Sequence, residues 1–168
     1  GSSVAIGAPG NDNASGHVRI YHNVEGSWVQ IGSDIDGETA YGRSGESVSL
    51  SADGTVVAIG APRNDNSTGY EAGHVRIYHY VSDSWIQIGS DIDGEEADDR
   101  SGESISLSAD GSIVAIGAYG NEEESGHVRI YRNIGGNWEK IGRDIDGEGD
   151  RSGFGVSLSA DGTVVAIG

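Results

Sequence analysis

The chain has 168 residues and no cysteine, which excludes disulfides, thiolate metal sites and a cysteine nucleophile. Its formal net charge is −17, from 27 acids against 10 bases, so a phosphate backbone would be repelled and no nucleic acid partner is expected. Glycine is abundant at 29 against 2 prolines, methionine is absent, and no apolar run is long enough for a membrane-spanning helix.

Val4-Ala5-Ile6-Gly7 is the first copy of a string that returns as Val57-Ala58-Ile59-Gly60, Val114-Ala115-Ile116-Gly117 and Val165-Ala166-Ile167-Gly168. The spacings are 53, 57 and 51 residues. The chain reads as a single repeat domain over 1–168, with repeats 4–56, 57–113 and 114–164, while 165–168 begins a fourth. Length differences fall in loops, where Asn64 to Gly73 is longer than Asn11 to Gly16.

In chain order, Val4 to Gly7 is predicted as a strand ending at Gly7-Ala8-Pro9. His17 to Tyr21 is the next, with Val18 and Ile20 on one face and His17, Arg19 and Tyr21 on the other. A further strand starts at Trp28, runs through Ile31 and ends in an Asp-Ile-Asp-Gly-Glu turn. Ser47 to Leu50 follows, closed by the hairpin signal Asp53-Gly54 before Val56 to Ile59. No segment has helical periodicity. Four-stranded units at this period predict an all-β fold of β-propeller blades, three four-stranded antiparallel repeats forming a partial propeller or an assembling unit.

The string Ser47 to Pro62, Ser-Val-Ser-Leu-Ser-Ala-Asp-Gly-Thr-Val-Val-Ala-Ile-Gly-Ala-Pro, resembles the FG-GAP repeat, the blade unit of integrin-α-type propellers. The resemblance departs from the family in the third copy, Gly117-Ala118-Tyr119, and at Ser44-Gly45, Ser101-Gly102 and Ser152-Gly153, where the family's Phe is lost. The family's calcium loop is reduced here to Ser51 to Thr55 with one carboxylate, short of the six to eight oxygens that calcium takes. This is a degenerate form lacking the calcium loop. No Arg-Gly-Asp tripeptide is present.

Short links are expected on one face of the blades, and long links, rich in acids, on the other. Loops on a rigid scaffold usually carry binding, so the long-link face is the candidate functional face. Alternate residues of an extended segment point the same way. Asp34, Asp36 and Glu38 could therefore share a calcium ion, and so could Asp91, Asp93 and Glu95, or Asp144, Asp146 and Glu148. The competing reading is a solvated turn whose acids cap backbone N–H groups. Asp12, Asp65 and Glu122 to Glu124 add acids to the other long link. Asn13-Ala14-Ser15 and Asn66-Ser67-Thr68 are glycosylation sequons, and Glu123 stands at that place in the third copy. His17, His74 and His127 are expected to be hydrogen-bonded structural residues, and Trp28, Trp85 and Trp138 packing residues.

There is no nucleophile elbow and no phosphate loop. Threefold repetition of every acid cluster points away from a singular catalytic site. The sequence predicts a non-enzymatic extracellular or cell-surface module, an adhesive or filament-forming scaffold with an acidic loop face. The alternatives are a lectin-like glycan-binding propeller or an accessory propeller of a larger secreted enzyme. Expected partners are a protein or glycan ligand, or further copies of the chain that complete a ring or filament. The chain is expected to be an excerpt or an assembling unit.

Overall fold

The structure, a computed structural model, describes residues 2–121, 125–149 and 151–168. The acids Glu122 to Glu124 of the third long link therefore lie outside the described residues. The described residues form antiparallel sheets joined in series. The first contains β1 (Ser3–Ala8), β2 (His17–Val24), β3 (Ser27–Gln30) and β4 (Ile35–Asp36), with a single helical turn at Asn11–Ala14. The second contains β5 (Ser47–Leu50), β6 (Val56–Ala61), β7 (His74–Val81), β8 (Ser84–Gln87) and β9 (Ile92–Asp93). The third repeats it with β10 (Ser104–Leu107), β11 (Ile113–Ala118), β12 (His127–Ile134), β13 (Asn137–Lys140) and β14 (Ile145–Asp146). A pair, β15 (Val156–Leu158) and β16 (Val165–Ile167), stands beside the third sheet. No described helix is long and apolar enough to cross a membrane.

The expected four strands per unit are joined by a short fifth. Within the Asp-Ile-Asp-Gly-Glu segments, β4, β9 and β14 fold back onto the start of the long strand, pairing His74 with Asp93 and Val75 with Ile92 in the second sheet. In β4 and β9, Ile35 and Ile92 are each 6% exposed and their side chains enter the core, which draws the acids alongside the histidine; Ile145 of β14 pairs in the same register with its side chain exposed. The helical turn at Asn11–Ala14 carries no period to read, because Asp12 and Asn13 have left-handed φ of 45° and 56°.

Apolar faces of successive sheets pack on each other. Val18, Ile20 and Ile35 of the first sheet meet Val57, Ile59 and Tyr78 of the second. Val75, Ile77 and Ile92 of the second meet Leu107, Val114 and Ile116 of the third. The sheets are also laced by hydrogen bonds. Ser47 Oγ donates to the Gly102 carbonyl at 2.6 Å, and the Leu107 amide donates to Ser49 Oγ at 3.0 Å. Gly60 is required by this approach, since a Cβ there would stand 2.1 Å from the Gly102 oxygen. Trp85 and Trp138 pack as expected, each indole N–H donating at 3.0 Å to the preceding sheet, at Ile31 O and Ile88 O.

Candidate functional site

On the long-link face, each Arg-Ser-Gly lead turns into a first strand. Arg43, Arg100 and Arg151 hold left-handed φ of 58°, 54° and 60°. Non-glycine residues are held there only by surrounding structure, and such backbone concentrates at functional sites. The amides of Glu46 and Glu103 donate to the Arg43 and Arg100 carbonyls, both at 3.1 Å, which closes each turn and sets a glutamate beside the strand mouth.

These groups form one charged cluster. Arg43 Nε lies 3.3 Å from Glu46 Oε2. Arg100 Nη2 lies 3.2 Å from Glu71 Oε2, and its Nη1 donates to the Tyr119 hydroxyl. Arg63 Nη1 lies 4.0 Å from Glu71 Oε1. Burial pushes the Glu103 carboxyl above the usual range, the Glu46 charge pushes it further, and Arg100, Arg63 and Arg43 pull it back. An open cavity of about 630 Å³ adjoins the cluster, lined by Tyr41, Arg43, Arg63, Asp65, Tyr70 and Glu71 among others. That volume suits a small-molecule ligand.

The sequence reading passed over this cluster, because Arg-Ser-Gly-Glu reads as plain polar loop. One signal was present. Glu46 and Glu103 are matched by Phe154 in the next copy, so the position differs between copies where the scaffold does not.

The expected acid sets are redistributed by the folding back of β4, β9 and β14. Asp34 and Asp36 lie with His17, whereas Glu38 reaches the second sheet and lies with His74 and Asp91. Glu95 likewise lies with His127 and Asp144. In each group the ligand atoms fall within 4.8 Å of one another, so these groups could hold a metal ion. Asp93 and Asp146 pair through the backbone with His74 and His127. Burial raises the Asp93 carboxyl, and Asn66 donates to it at 3.3 Å. Glu148 is exposed and belongs to none of these groups.

Asp34 is held well below its ordinary range, at about 2, first by the hydrogen bond from Arg19 and then by that from Gln30. Glu38 and Glu95 stand 3.3 Å from Arg76 and Arg129, both buried. The same arginines donate to the Asp36 and Asp93 carbonyls of the preceding sheet at 2.8 and 2.9 Å. The histidines depart from the hydrogen-bonded role expected of them. His74 Nε2 and His127 Nε2 are buried with no hydrogen-bond partner, and His74 Nδ1 lies 3.9 Å from Asp91 Oδ2. Among the sequons, Asn13 is exposed. The Asn66 side chain donates to the Gly73 carbonyl at 2.9 Å and accepts from Thr68.

No family model matches the chain, and no curated protein matches it. Solved structures do. A candidate 6-phosphogluconolactonase from Bacteroides fragilis is 15% identical with a TM-score of 0.56, over 92% of this chain and 36% of its own. One from Bacteroides uniformis is 16% identical with a TM-score of 0.53, over 92% and 38%. The periplasmic gluconolactonase of Pseudomonas aeruginosa is 14% identical with a TM-score of 0.48, over 84% and 39%. The chain spans less than two-fifths of the length of these proteins. The first two likenesses show the fold, a propeller-like series of antiparallel sheets.

Two expectations are corrected by these findings. The resemblance to FG-GAP repeats is overturned: no family model matches, and the structures that share the fold carry lactonase names. The reading as a non-enzymatic adhesive or structural module is overturned with it, since the same neighbours are named as enzymes. Repetition builds the scaffold here, and Phe154 departs from the glutamate that the other two copies share at Glu46 and Glu103.

Proposed function

We propose that the chain forms three blades of a propeller enzyme that opens a cyclic sugar ester at the arginine-lined cavity of the long-link face. One observation carries this reading: a carboxyl pair, Glu46 and Glu103, set among Arg43, Arg63 and Arg100, with Glu103 raised above its ordinary range by burial and by its partner's charge. A carboxylate whose basicity is raised is a better proton acceptor and can return the proton to a leaving group. In this reading Glu103 takes a proton from water as the water oxygen bonds to the lactone carbonyl carbon. An arginine meets the charge that develops on the carbonyl oxygen. The ring C–O bond then breaks, and the ring oxygen leaves as a hydroxyl with the proton held by Glu103. The neighbours' names suggest 6-phosphogluconolactone, whose phosphate would meet Arg43 and Arg63 in a chain otherwise strongly acidic.

Release of acid from 6-phosphogluconolactone, followed at constant pH, tests this. Glu103→Gln is expected to lower kcat about 100-fold with little change in KM. Wild-type hydrolysis no faster than buffer overturns the reading.

A bound cation is the second part of the proposal. Calcium at the acids of the Asp-Ile-Asp-Gly-Glu turns would need backbone carbonyls and water to complete its six to eight oxygens, because the fold splits each of the first two acid sets between two sheets. A titration by calorimetry that shows no calcium uptake removes it.

A further inference from the structure

The Glu–His–Asp group occurs at two sheet junctions that differ in one residue. At the first, Glu38 comes from the first sheet and His74 and Asp91 from the second. At the second, Glu95 comes from the second sheet and His127 and Asp144 from the third. His74 and His127 are each 2% exposed, and each keeps a buried Nε2 without a hydrogen-bond partner. His74 Nδ1 stands 3.9 Å from Asp91 Oδ2.

Lys140 is the difference. Its Nζ lies 2.7 Å from Asp144 Oδ1 and 3.9 Å from Glu95 Oε1, so an ammonium already bridges the carboxylates of the second junction. The residue in that place at the first junction is Gln87, whose Nε2 donates to Asp91 Oδ1 at 2.6 Å. An amide brings no net charge. Arg76 contacts Glu38 just as Arg129 contacts Glu95, both at 3.3 Å, so the arginines do not distinguish the junctions. The group at His17 carries its arginine on the aspartate, whereas Arg76 at the first junction contacts Glu38 and leaves Asp91 to Gln87. Arg19 donates to Asp34 Oδ2 through Nε and Nη2 at 2.9 and 2.8 Å, and Gln30 occupies Oδ1.

We propose that Glu38, His74 and Asp91 form a site for a divalent cation of the zinc type, and that Lys140 is the built-in cation of the otherwise equivalent site at the next junction. The site is independent of the proposed lactone chemistry. One imidazole nitrogen and two carboxylate oxygens make a donor set suited to zinc and its first-row neighbours, with water completing the shell. They fall short of calcium's demand for oxygen. His74 Nδ1 is the ring nitrogen that faces Asp91, and at 3.9 Å it lies beyond hydrogen-bond distance, so it is the atom that would coordinate. Because Glu38 and His74 belong to different sheets, the ion would tie them together and stabilise the folded chain.

Calorimetry with zinc chloride on the full, chelator-treated chain tests the proposal, with melting followed in parallel to confirm folding. The wild type is expected to take up one zinc per chain and to melt higher with it. Gln87→Lys places the ammonium at the first junction and is expected to weaken uptake at least tenfold. Lys140→Gln is expected to raise uptake to two. Absence of zinc uptake by the wild type overturns the site. Uptake unchanged by Gln87→Lys overturns it as well, by assigning the zinc to acids elsewhere, and a stoichiometry unchanged in Lys140→Gln overturns the role given to the lysine.

Discussion

Asp53, Asp110 and Asp161 close the short hairpins, and each accepts several hydrogen bonds through one carboxylate oxygen. Asp53 Oδ1 takes them from Ser51 Oγ, the Thr55 amide and Thr55 Oγ1 at 2.7, 3.0 and 2.8 Å. These bonds hold all three carboxyls below their ordinary range, Asp161 at about 2. The ionised form is favoured in the folded chain, so the contribution is present above the unfolded value near 4 and is lost as pH falls toward 2. Replacing all three by Asn is expected to lower the melting temperature at pH 7 and to flatten its decline between pH 5 and pH 2, read by circular dichroism. The single-carboxylate turn was legible in the sequence, and its use is that of a turn. The charged cluster at Glu46 and Glu103 was not legible, because Glu103 is raised by burial and by the charge of Glu46, which belongs to the preceding repeat and is brought near only by sheet packing.

The strands were legible as elements. Alternation marks His17–Val24 and its copies, and Asp-Gly marks the hairpins. The two-residue strands β4, β9 and β14 were not legible, since Ile-Asp within an acid turn has no period to read; β4 and β9 are each placed by one buried isoleucine, whereas Ile145 of β14 is exposed. That fold-back also splits the expected acid sets, sending Glu38 and Glu95 to the following sheet. Glycine in the recurring Val-Ala-Ile-Gly string reads as a strand end, yet its place is fixed by contact between sheets. Gly60→Ala would put a methyl group 2.1 Å from the Gly102 oxygen, a separation that only backbone movement relieves. Loss of more than about 2 kcal/mol of stability is expected, measured by denaturant unfolding.

Across the whole molecule, the repeat and its all-β character were plain in the sequence, while the overturned FG-GAP resemblance rested on the string Ser47 to Pro62 and the overturned non-enzymatic reading on repetition itself. Recurrence reports on packing, and packing is shared by proteins of different activity. The junctions also have a sense. Val57 and Ile59 are buried against the first sheet, whereas their counterparts Val4 and Ile6 are 37% and 52% exposed. Trp85 and Arg76 donate backward to Ile31 and Asp36, and Ser47 donates forward to Gly102. Front and back of each sheet are therefore plug and socket, never two of a kind. A unit duplicated in tandem creates another junction of the same gender without disturbing those on either side. Each new junction would be free to keep a neutral amide or acquire an ammonium at one strand end, so the number of ion-holding joints could evolve apart from the number of sheets.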